Sequence, residues 1–560
     1  MENKDKLTLT TIIQNSVLKY GNTPALSFVN ETPLTFNDVG DKANKVAAFL
    51  KSRKINTGDR IAILSENMPN WGVTYFGISL AGGIIVPILP DFHSNEIKNI
   101  LDHSESNIVF VSSKIYEKVK DLNVDNKREF ILLNDFSLIP KGTSVSDIKT
   151  RSGEYFFKPD MEIPIVNPGE DNLAVIIYTA GTTGSSKGVM LSHKNICSNA
   201  YSSNKIANME PGHTMLSILP LSHSYECTLG FIIPFSSGAC VYYLRKPPSA
   251  TVLLPALNTV KPHLMLSVPL LIEKIVRQSV LPNIEKKAVL RSLFHFPLTH
   301  GLIAKLAGKK LLKTFGNRLF FFGIGGAGLA SDVESFLKDA KFPYAIGYGL
   351  TETSPLIAGA NAKTSRFTAT GKVIEGGEVK IINPHQETGE GEILYKGPNV
   401  MMGYYKDPEK TSEVLSKDGW FSTGDLGIFD SDNYLYIKGR VKTMMLGASG
   451  ENIYPEAIES VLNEFDFVEE SVVFQEEGKI VALVHIDKEA LLQSVEHLKE
   501  GAKHATEHAT EYTKELLKKV NRQLNSFSKI ANLRHENEPF EKTPKNTIKR
   551  YLYTKFKRKD

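Results

Sequence analysis

The sequence is poor in cysteine, in tryptophan and in long apolar runs, and it carries no excess of either charge. Its three cysteines, Cys197, Cys227 and Cys240, have no metal-ligand spacing and are odd in number, which argues against a disulfide framework and for a reducing, cytoplasmic setting. Basic residues number 66 against 62 acidic ones, and a formal net charge of +4 provides no field for nucleic acid. The most apolar window, YFGISLAGGIIVPILP from Tyr75 to Pro90, is too short to span a bilayer and is broken by glycines and two prolines. The opening MENKDKLTLTTIIQN is charged and lacks the apolar core and cleavage site of a signal peptide. No internal repeat is evident.

What remains is the composition of an ordinary globular enzyme, 41% hydrophobic and 23% charged. At 560 residues the chain exceeds the size at which one core stops growing, so at least two domains are expected. Through the first 440 residues, strand-length apolar runs (RIAIL, NLAVIIY, RLFFFGI) alternate with helix-length stretches (WGVTYFGISLAGG, VESFLKDA). That alternation predicts an α/β fold with largely parallel sheets. Around GEVKIINP and GEGEILYKG the pattern changes to short strands and Gly turns, predicting a small β subdomain.

Beyond Arg440, NIYPEAIESVLNEF reads as a helix entered at Pro455, and SVVFQEEGKIVALVHI reads as two strands around a Gly turn. Apolar residues then recur every three or four positions from Asp487 to Asn525, predicting one long amphipathic helix or two. The expected division is therefore a large domain over 1–439 and a small α+β domain over 440–560.

LAVIIYTAGTTGSSKGVMLSH, Leu173 to His193, is the most informative segment, an apolar strand running into a loop of glycines, hydroxyls and one lysine. Such a loop converges backbone N–H groups and hydroxyls on an anion, and Lys187 adds a mobile positive charge. It is not a Walker A loop, because Ser186 stands where that motif has Gly before its Lys. A Gly/Thr-rich turn with no ligand is the plain alternative for this loop taken alone.

YTAGTTGSSKGV resembles the signature of the ANL superfamily, the adenylate-forming enzymes, with Ala180 where the family has Ser and Ser186 where it often has Pro. Three further motifs follow in family order: GIGGAGL (Gly323 to Leu329), YGLTETSP (Tyr348 to Pro355) and STGDLG (Ser422 to Gly427). The resemblance implies that Thr179, Thr182, Thr183, Gly184 and Lys187 handle the β- and γ-phosphates of ATP. It implies that Gly325, Gly326 and Ala327 lie against adenine, that Tyr348 stacks on it beside Gly349, and that Thr351 binds the α-phosphate. Glu352 would hold Mg²⁺, a hard ion that takes oxygen ligands, and Asp425 would accept from the ribose hydroxyls. Singly, each motif also reads as a turn or a surface acid; four in order do not.

IKGRVKTMM, Ile437 to Met445, resembles the family's hinge. By that resemblance Arg440 contacts ribose or phosphate and Lys442 is the pivot between two poses of the small domain, with Thr443 standing where an acid is usual. GASGENIYP resembles the segment lining the tunnel for the CoA thiol arm, with Gly450 leaving room for it; a Gly turn before a helix is the alternative.

LPLSHSYECTLG, Leu219 to Gly230, falls where the family builds its acyl pocket, and His223 matches a residue near the reacting carboxylate. No Asp follows to pair an amino-acid ammonium, and PLSHSYE resembles bacterial long-chain acyl-CoA synthetases, so a medium- or long-chain fatty acid is the expected substrate. Transfer to a carrier-protein thiol, activation of another acid, and a catalytically impaired ATP- and acyl-binding homologue stay open. The last is prompted by TPKNTIKR (Thr543 to Arg550), which resembles the family's closing TPTGKIxR but puts Thr547 where the catalytic lysine belongs. Lys545 and Lys549 each lie two residues away, on the same side of an extended strand. Eight of the last 19 residues are basic, and Lys555, Lys557, Arg558 and Lys559 are candidates for peripheral contact with anionic lipid, a solvated terminus being the alternative.

Overall fold

The computed structural model describes residues 6–124, 127–147, 166–179, 186–446, 452–476, 478–494, 502–543 and 547–554. In chain order the elements that position the site are β1 (Arg60–Leu64), α1 (Pro69–Leu80), β2 (Leu173–Thr179), β3 (Lys187–Ser192), β4 (Leu264–Ser267), α2 (Ala288–His295), α3 (Pro297–Thr314), β5 (Phe321–Ile324), α4 (Ser331–Asp339), β6 (Tyr344–Gly349), β7 (Phe421–Phe429), β8 (Leu435–Arg440), α5 (Pro455–Leu462), β9 (Val468–Glu476), β10 (Lys479–Ile486) and β11 (Asn532–Glu536).

The apolar runs become strands buried on both faces, as parallel sheets require. β1 lies between the parallel strands Ile84–Ile88 and Ile108–Val111. β2 joins Ile84–Ile88 in the same direction and then folds back as an antiparallel pair with β3. Among the described residues these strands belong to an eight-stranded sheet, and β4, β5 and β6 run parallel, side by side, in a nine-stranded one. α1 starts on Pro69 and is apolar nearly all round, so it is buried almost throughout rather than half exposed. Trp71, Tyr75 and Phe76 pack on Phe231 and Phe235 with ring centroids 4.7 to 6.0 Å apart. Gly72 admits this packing, since a Cβ there would stand 2.7 Å from the Phe231 ring.

β7 and β8 pair antiparallel and complete a four-stranded sheet with Glu378–Ile382 and Gly391–Lys396, the expected small β subdomain. After β8, α5 packs on β9, β9 pairs antiparallel with β10, and β11 adds in parallel. Among the described residues the amphipathic stretch after Asp487 is helical over Lys488–Ser494 and over Ala502–Gln523. Met445, Ile458, Leu462, Val484, Leu516 and Val520 form a core of their own. Polar contacts between this unit and the rest include Arg277 Nη1 donating to Asn463 O at 2.7 Å and Tyr454 Oη donating to Glu390 Oε2 at 2.6 Å.

Candidate active site

The site is built at the carboxyl ends of β4, β5 and β6, where open α/β sheets bind ligands. β5 runs into Gly325, whose N–H is held by Ser267 O at 3.2 Å, and Gly326 follows at φ +92, a conformation that excludes most side chains. β6 ends in Tyr348 and Gly349. A Cβ on Gly349 would stand 1.9 Å from the Pro355 carbonyl oxygen, so this sharp return of the chain tolerates only glycine.

Tyr348 and Asp425, far apart in sequence, meet here: Tyr348 Oη donates to Asp425 Oδ2 at 2.7 Å. Arg440 lies opposite Asp425 in the β7–β8 ladder and brings its Nε within 3.1 Å of Oδ1. Both carboxylate oxygens are thus engaged, and Asp425 is buried. Burial raises its pKa, and the Arg440 guanidinium and the Tyr348 hydroxyl pull against that rise.

Thr351 is buried and opens the short turn that carries Glu352. Glu352 Oε1 accepts from Tyr404 Oη at 3.0 Å, and Lys187 Nζ stands 4.9 Å from the centre of the Tyr404 ring. Tyr404, which the sequence motifs did not single out, thereby joins the β2–β3 hairpin to Glu352; it pairs with Val189 of β3. Thr179 and Lys187 face each other across the mouth of that hairpin. The loop residues Thr182, Thr183 and Gly184 lie outside the described residues, as do Gly450 and Lys545. Mg²⁺ fits the donor set at Glu352, a carboxylate beside a phosphate-loop lysine, where phosphates and water supply further oxygens.

His223 enters the π-helical stretch Glu226–Ile232: its carbonyl accepts from Cys227 N at 2.9 Å and its Nδ1 from Tyr225 N at 3.3 Å. The neighbouring Tyr225 ring packs against the glycine loop, 3.2 Å from where a Gly325 Cβ would stand. Tyr225, Leu229, Leu266, Phe321, Ile346 and Leu356 surround an apolar cavity of about 30 Å³. A larger cavity of about 550 Å³ lies elsewhere, against Arg53, Arg60, Glu105, Arg128 and Glu129, and none of the candidate residues lines it.

At the hinge, Lys442 is exposed and Thr443 Oγ1 donates to Glu456 Oε1 at 2.8 Å. An acid is therefore present beside the hinge after all, contributed by α5 rather than by the motif. The described ends of the closing segment pair antiparallel: Thr543 N donates to Thr547 O and Lys549 N to Glu541 O, both at 2.8 Å. Lys549 sits at its base with Nζ 3.5 Å from Glu541, and Arg550 pairs with the buried Glu459 of α5.

Fold and motifs together define an adenylate-forming enzyme. A family model described as AMP-binding enzyme matches residues 13–405, and its companion, AMP-binding enzyme C-terminal domain, matches 443–559. A long-chain-fatty-acid–CoA ligase of Bacillus subtilis is 30% identical over 502 residues, covering 83% of this chain and 82% of its own. The long-chain-fatty-acid–CoA ligase ACSBG2 of Rattus norvegicus is 29% identical over 82% of this chain and 73% of its own. The ATP-bound structure of MatB from Rhodopseudomonas palustris superposes with a TM-score of 0.76 at 22% identity, covering 98% of each chain. The chain belongs to the AMP-binding enzyme family, and by class it is an AMP-forming acid–CoA ligase.

Proposed function

We propose that the protein activates a medium- or long-chain fatty acid: its carboxylate attacks the α-phosphate of ATP, pyrophosphate leaves, and the thiol of CoA then displaces AMP from the acyl-AMP. The observation that carries this reading is the apolar cavity behind Tyr225, which abuts the glycine loop assigned to adenine and has no charged side chain in its lining. The two ligases named above act on the same substrate class. Its present volume is far below that of a long acyl chain, so substrate entry requires Tyr225 or Leu229 to swing aside. Chemistry at phosphorus rests on positioning and on cations aimed at developing charge. Lys187, with Thr179 and the loop Thr182–Gly184, serves the outer phosphates; Thr351 serves the α-phosphate; Glu352 carries Mg²⁺. Asp425 receives the ribose hydroxyls and Arg440 ribose or phosphate, while Tyr348, hydrogen-bonded to Asp425, stacks on adenine beside Gly325, Gly326 and Ala327. His223 lines the carboxylate end, and Lys442 and Gly450 serve the second pose of a small domain that starts at residue 440. Three buried, unpaired cysteines suit a reducing cytoplasm.

A second reading, an impaired homologue, is favoured by Thr547. Loss of one preorganised donor at such a site costs on the order of 10² to 10³ in rate. An acyl-chain panel of thioester formation, run on the native protein and on Lys545→Ala and Lys549→Ala, separates the readings. Turnover peaking at C12 to C18 acids, with one lysine variant slowed about a hundredfold, is expected. ATP binding without pyrophosphate release for any acid would establish the impaired homologue instead.

A further inference from the structure

The α2–α3 hairpin takes no part in the site, and its outer surface is unlike the rest of the molecule. From Lys286 to Thr314 there is no acidic residue and there are seven basic ones, Lys286, Lys287, Arg291, Lys305, Lys309, Lys310 and Lys313, in a chain whose overall formal charge is only +4. All seven are exposed, and none has an ion-pair partner among the described residues. Interleaved with them are large apolar side chains in solvent: Val289 is 72% exposed, Phe296 53%, Leu298 87%, Leu302 60% and Leu306 53%. Surface apolar residues scattered singly need no explanation, but a contiguous set rimmed by charge marks an interaction site.

Helical spacing explains the grouping. Leu298, Leu302 and Leu306 recur every four residues along α3, as do Lys305, Lys309 and Lys313, so leucines and lysines share one outward face. The opposite face is seated on the nine-stranded sheet's helix layer through Ile303, Ala304 and Leu311. Gly308 lies so close to α4's end that a Cβ would stand 2.0 Å from Ala340 O. A helix packed that tightly does not roll, so the leucines are not turned inward.

We propose that this hairpin is a docking face for an anionic lipid bilayer, with Leu298, Leu302, Leu306, Phe296 and Val289 entering the interface and the seven cations meeting lipid headgroups. An interfacial helix has this chemistry, an apolar stripe with long basic side chains whose stems lie along it; the neighbouring acids Glu285 and Asp339 are paired with His295 and His300 of the hairpin. A second copy of the same face does not fit, because a two-fold contact brings seven unpaired cations against seven. The face differs from the basic terminus at Lys555 to Lys559, and it stands whatever acid the enzyme activates.

The test is co-sedimentation of the full-length protein with vesicles of phosphatidylglycerol and phosphatidylcholine, against vesicles of phosphatidylcholine alone. Binding to the anionic vesicles only, weakened by salt, is expected. Each basic residue near such a surface strengthens binding about fivefold, so the triple variant Lys305→Gln/Lys309→Gln/Lys313→Gln should bind about a hundredfold more weakly. Leu298→Ser/Leu302→Ser/Leu306→Ser should lose at least about tenfold, with unchanged melting temperature and ATP affinity in both variants. The proposal is overturned if the native protein stays in solution, if both variants sediment like the native protein, or if the leucine variant instead dissociates an oligomer, which would make the occupant another copy.

Discussion

Glu226 shows at the scale of one residue how a buried acid shapes this site. It is fully buried on the π-helical stretch, its Oε1 accepts from Ser217 Oγ at 2.5 Å, and its Oε2 has no partner. Ser217 Oγ in turn accepts from Asn67 Nδ2 at 3.1 Å. Asn67 also donates to Leu219 O at 2.6 Å and accepts from Leu221 N at 2.8 Å, bracing the segment that leads to His223. Burial lifts the Glu226 pKa to about 8, so the carboxyl is neutral at pH 7. A raised acid binds its proton more tightly in the folded state, so stability is greatest below the unfolded pKa and falls as pH rises through the folded one. Glu226→Gln mimics the neutral acid and has no such loss. Denaturation of both proteins from pH 5 to 8 should show the native chain losing up to about 1.4 kcal/mol per pH unit relative to the variant. Parallel curves would mean that Glu226 is ionised throughout.

At the scale of elements, the closing segment is tied to the small domain by Arg550 with Glu459 of α5 and by Lys542 with Glu470 of β9. Arg550 donates to Glu459, which also accepts from Val473 N at 2.6 Å, and burial raises Glu459 to about 7 while the guanidinium pulls it down. The Arg550–Glu459 pair fixes the end of this segment on α5 and β9, where Arg550 also donates to Val473 O at 3.4 Å. Arg550→Ala should cost the small domain about 2 kcal/mol and slow adenylation, while Arg550→Lys keeps most stability but loses the fork geometry. Urea unfolding followed with pyrophosphate release distinguishes a positioning role from a merely structural one: the Lys variant should be stable yet slow.

Over the whole molecule, the proposed two-step reaction depends on how the small domain sits on the large one. Arg277–Asn463 and Tyr454–Glu390 are polar ties between the two. Removing the Tyr454 hydroxyl loosens one pose without touching ATP contacts. Tyr454→Phe should therefore change the rates of acyl-AMP formation and thioester formation in opposite directions, by about two- to tenfold, a tie of roughly 0.5–1.5 kcal/mol. Equal effects on both steps in single-turnover assays would show that this contact does not bias the poses.

Much of this was legible from local sequence. RIAIL and NLAVIIY form the buried parallel strands their composition predicts, the helix after Pro455 starts there, and the ordered motifs identify the family, because strand burial, helix entry and glycine loops are local chemistry. Three features were not legible. Tyr404 between Lys187 and Glu352, Glu456 beside Thr443, and the Asn67–Ser217–Glu226 brace each join residues on different elements, and no periodicity records which side chains the topology will bring together. The seating of Gly308 on Ala340 decides that the leucines of α3 face outward. Sequence by itself determined the class of chemistry, since phosphate loops and capping residues act through their own backbone. Tertiary structure alone decided which acid supports the hinge, which tyrosine bridges the phosphate site and which helix face meets solvent, because those depend on packing between distant segments.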